Sequence, residues 1–110
     1  MGILFWKRKN PQIDAFARAA ADELFSYVNP EEASRHFSGE KEKKKKKQRS
    51  IENHIRGVIL QMHDFSEENS LGIYGKARLQ MKFSDRLIEL GYEEAAAKKV
   101  VESILYQGVG

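Results

Sequence analysis

Cysteine is absent from this chain, which excludes disulfides, thiolate metal sites and cysteine nucleophiles and leaves nothing that points to an oxidising compartment. Long apolar runs are absent too. No stretch approaches the roughly 20 residues needed to span a bilayer, and Ile3 to Trp6 is far shorter than a signal-peptide core. The chain is expected to be soluble and cytoplasmic, neither crossing a membrane nor carrying a secretion signal. Phosphate-cradling glycine loops are missing, because Gly72 and Gly75 have no following Gly-Lys-Ser/Thr and no third glycine in register.

Histidine is scarce and scattered. His36, His54 and His63 accompany no serine in a nucleophile-elbow setting and no thiol that could be activated. His63-Asp64 is the one adjacent pair with acid-base character, yet neighbours on a helix point about 100° apart, so the aspartate is poorly placed to orient the ring. A helical metal pair wants histidines three or four residues apart, whereas His54 and His63 are nine apart, on opposite faces. Asp64, Glu67 and Glu68 lack the alternation and central glycine of an EF-hand loop. The sequence predicts no enzyme, no metal and no cofactor.

What is present is charge and helical period. The 110 residues are 41% apolar and 32% charged, the composition of one folded domain with polar appendages. The net charge of +3 is unevenly spread: Lys7, Arg8 and Lys9 carry +3, residues 40–49 carry +5, and the remaining chain is net −5. Two short tracts are basic and the folded body is acidic, the reverse of a domain whose folded face grips phosphates.

Asn10-Pro11 reads as an N-cap followed by proline in the first turn, and Ile13, Phe16, Ala17, Ala20, Ala21, Leu24, Tyr27 and Val28 continue a helical stripe over 11–28, opposite a row of Asp14, Arg18, Asp22 and Ser26. Asn29-Pro30-Glu31-Glu32 repeats the signal with a glutamate placed for a capping box, starting a short helix through about Phe37 that Gly39 stops. Residues 40–49 hold no apolar side chain and read as a linker or a frayed helical extension. From Ser50, read as an N-cap, Ile51, Ile55, Val58, Ile59, Met62 and Phe65 form a second long helix, and Ser66 to Ser70 a polar connection.

Residues 73–83 are ambiguous, since Lys76 to Phe83 alternates polar and apolar as a strand would. As a helix the segment has two apolar faces, one with Leu79, Phe83, Leu87 and Leu90 and the other with Ala77, Met81 and Ile88, the pattern of a helix contacted from both sides. The helix formers Ala, Leu, Met, Lys, Gln and Arg favour that reading. The predicted fold is a small all-α bundle of four main helices and one short one. The alternative is an α+β fold with a hairpin pairing 56–65 with 73–83. The domain organisation is an N-terminal apolar and basic segment, 1–10, ahead of a single helical domain, 11–110, interrupted by the lysine-rich linker at 40–49.

Gly91 follows Leu90 as a C-cap glycine, and Glu93 to Tyr106 carries Ala97, Val100, Val101, Ile104 and Leu105 on one face. Arg86-Leu87-Ile88-Glu89-Leu90-Gly91-Tyr92, with Ala96 and Val100, resembles the helix-Gly-aromatic-helix joint of ubiquitin-associated-like three-helix domains over about 20 residues. In that family the joint belongs to a binding surface, and the resemblance implies shared turn chemistry.

Three kinds of partner are physically open. Ile3, Leu4, Phe5 and Trp6 directly before Lys7, Arg8 and Lys9 have the grammar of an interfacial membrane anchor, or of a segment that folds onto the core or a second copy. Lys41, Lys43, Lys44, Lys45, Lys46, Lys47 and Arg49, with Arg78 and Lys82 on one polar face, are candidates for non-specific polyanion or nucleic-acid contact, although Asp85 and Glu89 make that face mixed in sign. Well-specified helices without a catalytic constellation favour the third, a non-catalytic interaction protein whose partner is another protein or itself.

Overall fold

The computed structural model describes the backbone of residues 2–37 and 45–109 and the side chains of 10–37 and 48–102. Five helices follow one another: α1 (Gly2–Tyr27), α2 (Pro30–Phe37), α3 (Lys45–Glu68), α4 (Ile73–Glu89) and α5 (Glu94–Val109). Among the described residues there is no strand, so the all-α bundle holds and the hairpin alternative is overturned. The alternating stretch Lys76 to Phe83 is helical. Every residue in it tolerates a helix well, and the helix buries Leu79 and Phe83 while leaving Ala77 and Met81 exposed, whereas a strand would put all four on one face.

α1 packs most extensively on α4 and also on α3, while α5 contacts α4, α3 and α2. Three contacts share one offset: Asp14 meets Arg78, Asp22 meets Arg86 and Val28 meets Tyr92, each pair 64 residues apart. Helices α1 and α4 therefore run in the same direction over several turns. The core between the helices holds Ile13 and Leu24 from α1 and Val28 just past its end, Ile59 and Met62 from α3, Phe83 and Leu87 from α4, and Val100 from α5. Ala17, Ala20 and Ala21 lie in the buried face of α1, where short side chains let neighbouring helices approach closely. The rings of Phe16 and Phe65 stack with centroids 4.1 Å apart and join α1 to α3. The expected core residues Ile55, Ile59, Phe83 and Leu87 are all buried.

Helix ends divide into those that local chemistry settles and those it does not. Asn29 and Glu32 form the capping box, with the Glu32 amide donating to Asn29 Oδ1 at 2.8 Å and the Asn29 amide to Glu32 Oε1 at 3.3 Å. Gly91, at φ +113°, ends α4 in a Schellman turn: its amide donates to the Ile88 carbonyl and that of Tyr92 to the Leu87 carbonyl. Ser70, at φ +50°, ends α3 in the same way, its amide bonded to the Glu67 carbonyl and that of Leu71 to the Ser66 carbonyl.

Three expected boundaries are corrected. α1 does not begin at Asn10-Pro11 but runs from Gly2 through Pro11. Proline removes one amide donor from a helix interior, and good helix formers on both sides carry the helix past it. α3 begins at Lys45 rather than Ser50, so that part of the lysine tract is the helical extension and not a linker; lysine has good helix propensity, which outweighs a possible cap at serine. Ser66 to Glu68 are the last turn of α3, not a connection, and Ser66 is buried with its hydroxyl donating to the Met62 carbonyl at 2.9 Å. That bond satisfies the hydroxyl inside the helix.

Candidate interaction face on helix 4

The scarce titratable groups come first, because they would carry any chemistry. His63 Nε2 lies 3.9 Å from Glu67 Oε1 one turn away, on an exposed face. The ring of His54 stacks on Tyr27 with centroids 4.1 Å apart, and His36 sits edge-on to Phe37 with its Nδ1 buried and unpartnered. The three histidines thus serve three separate contacts. Among the described residues no three His, Asp or Glu side chains gather where a metal ion could bind, and no helix is long and apolar enough to cross a membrane.

The polyanion candidates are dispersed. Lys41, Lys43 and Lys44 lie outside the described residues; Lys45, Lys46 and Lys47 contribute backbone to the first turn of α3, and Arg49 is exposed on the same helix. Arg78 turns toward α1, where its Nε and Nη2 donate to the two carboxylate oxygens of Asp14 at 2.8 Å each. Lys82 is half-buried on α4. Arg86 donates through Nε to Asp22 and through Nη1 to Glu89. These hydrogen bonds raise the affinity of both guanidinium groups for their protons, the bond to Asp14 being foremost for Arg78 and that to Asp22 for Arg86. The side chains of Ile3, Leu4, Phe5, Trp6, Lys7, Arg8 and Lys9 lie outside the described residues, although their backbone belongs to α1.

Sequence reasoning missed the use of Asp14 and Asp22, which it assigned to the solvent side of α1. A signal for it was available: two aspartates eight residues apart match two arginines eight residues apart, with opposite charge. In parallel helices equal spacings bring both pairs together at once. The aromatic of the ubiquitin-associated-like joint, Tyr92, is buried at 3% exposure and donates its hydroxyl hydrogen to the Val28 carbonyl. Here that side chain is part of the core and not of a binding surface.

The outstanding surface feature is the outer face of α4. Its inner face buries Gly75, Leu79, Phe83 and Leu87. At 100° per residue Tyr74, Ala77, Met81, Ser84 and Ile88 fall on the opposite side, spaced three, four, three and four residues apart. Tyr74 is 77% exposed, Met81 51% and Ile88 42%, and Ile73 beside them is 87% exposed. The expectation that Ala77, Met81 and Ile88 would be covered from a second side is therefore corrected. α1 and α5 both pack on the inner half of α4, and the chain supplies no further helix among the described residues to cover the outer half.

Compared with known protein families, with curated proteins and with solved structures, the chain matches none.

Proposed function

We propose that this chain is a non-catalytic protein-protein interaction module that offers the outer face of α4 to another polypeptide. One observation carries the reading: Tyr74, Ala77, Met81 and Ile88 form a regular apolar stripe, directly opposite the buried face, that faces solvent. Scattered surface apolar residues need no explanation, but a periodic row on an otherwise well-packed helix is the pattern by which helices dock through anchors at i, i+3, i+4 and i+7. Low charge on the seam adds to this, because desolvating it costs little.

A photo-activatable amino acid at position 81, introduced into the full chain in cells of its source, tests the reading. The expected result is a discrete adduct with a polypeptide, lost when Ile88→Glu is added. Absence of any polypeptide adduct at 81, with the protein folded and present, overturns it. Non-specific contact of the lysine tract with nucleic acid is a separate proposal resting on charge alone.

A further inference from the structure

Resting on the interaction reading above, we infer that the polypeptide docking on α4 is a second copy of this chain, its own α4 lying antiparallel across the first. The spacing of the stripe places Tyr74, Met81 and Ile88 at the first seam position of successive heptads and Ala77 and Ser84 at the second. One position is always large and the other always small. In a parallel pair, large residues would face large and small would face small, leaving gaps between the helices. In an antiparallel pair each large residue faces a small one, and the layers fill evenly.

Charge selects the register. Arg78 and Asp85 occupy the same flanking position one heptad apart, and in antiparallel helices that position faces its own counterpart. With Ala77 opposite Ile88 of the second copy and Met81 opposite Ser84 of the second copy, Arg78 faces Asp85 of the second copy, and symmetry makes the same pair again. Shifting by one heptad either way sets Arg78 against Arg78 or Asp85 against Asp85. A parallel pair sets Arg78 against Ile73 and Asp85 against Gln80, which offer no charge. A single arrangement thus satisfies both size and charge.

The side chains are poised for it. Arg78 uses Nε and Nη2 on Asp14 and, among the described residues, makes no bond through Nη1, so its fork is held in place by α1 with one nitrogen to spare. Asp85 is exposed and makes no hydrogen bond or ion pair among the described residues. Its charge beside an apolar stripe would be a poor choice for a surface that met only apolar groups. Facing a fixed guanidinium it completes the seam.

Sedimentation of the full chain over a concentration series reads self-association directly, and Asp85→Arg is expected to weaken it by about tenfold or more, because two attractive pairs become repulsive. The substitution is at an exposed, unbonded position, and an unchanged circular dichroism spectrum confirms that the fold is intact. Geometry is tested separately by single cysteines, since the chain has none of its own. Under mild oxidation a mixture of Ala77→Cys and Ile88→Cys should form the mixed disulfide in preference to either like pair, as only facing positions bring the sulfurs within bonding range. A folded chain that stays monomeric throughout the series, or cysteines that pair best with themselves, overturns the inference. An adduct at position 81 with a different polypeptide, from a chain that is monomeric when pure, would sink the self-pairing while leaving the interaction reading intact.

Discussion

The hydroxyl of Tyr92 donates its hydrogen to the backbone carbonyl of Val28, so the first residue past α1 is tied to the turn that ends α4. Val28 is fully buried, and without Tyr92 its carbonyl would be one of the orphan acceptors at a helix end. Tyr92→Phe removes the donor while keeping the ring. The expected loss is about 1 to 3 kcal/mol, the cost of leaving a buried acceptor unpaired, measured by denaturant unfolding. Burial first, and the charge of Glu32 second, raise the Tyr92 phenol well above its ordinary value. The folded state therefore keeps a proton that the unfolded state loses above pH of about 10. This contribution to stability is fully present below that pH and is lost as pH rises further. Tyr92→Phe should show a shallower alkaline decline than the parent; an identical alkaline slope would contradict the burial of the phenol.

Ser70 adopts the left-handed conformation at φ +50° to close α3, a conformation that costs an L-residue with a side chain about 1 kcal/mol and glycine nothing. Ser70→Gly should therefore stabilise the protein by a few tenths to about 1 kcal/mol, the gain being offset in part by the greater freedom of glycine in the unfolded chain. Thermal unfolding checks the sign. A fall in melting temperature would contradict the cap.

The two faces of α4 should respond oppositely to truncation. Phe83 is completely buried and Met81 is half exposed. Phe83→Ala is expected to cost about 3 to 5 kcal/mol through lost burial and the cavity left behind. Met81→Ala, measured at a concentration where the chain is monomeric, should stay within about 0.5 kcal/mol. Similar costs for both would mean that Met81 is covered within the monomer.

Most of any affinity for polyanions should reside in the lysine tract, because the rest of the folded chain is net acidic and Arg78 and Arg86 are already bonded to carboxylates. Replacing Lys41 and Lys43 to Lys47 by glutamine should leave the melting temperature unchanged and remove most of the retention on duplex DNA. If about five cations engage, the parent's log affinity should fall with log salt at a slope of roughly −4 to −5, without regard to sequence. Sequence-selective, salt-resistant binding that survives the substitution would defeat this account.

The sequence by itself determined the elements whose causes are local. Asn29 and Glu32 specify their capping box within four residues, Gly91 specifies the end of α4, and the stripe from Ile51 to Met62 specifies both a helix and its buried side. Only the tertiary structure decided whether Lys76 to Phe83 is helix or strand, since its alternation and its propensities point to different answers and the burial of Leu79 and Phe83 with Ala77 and Met81 left exposed resolves them. Helix starts at Asn10 and Ser50 were illegible for a related reason: a cap-forming residue permits an end without compelling one. The pairing of Asp14 with Arg78 depends on two helices meeting in parallel, and no periodicity within either reports that. The candidate site was half legible. Periodicity shows that α4 has two apolar faces, but which of them the remaining helices cover depends on how α1 and α5 pack around it, and they meet α4 on the side of Phe83, leaving Met81 outside.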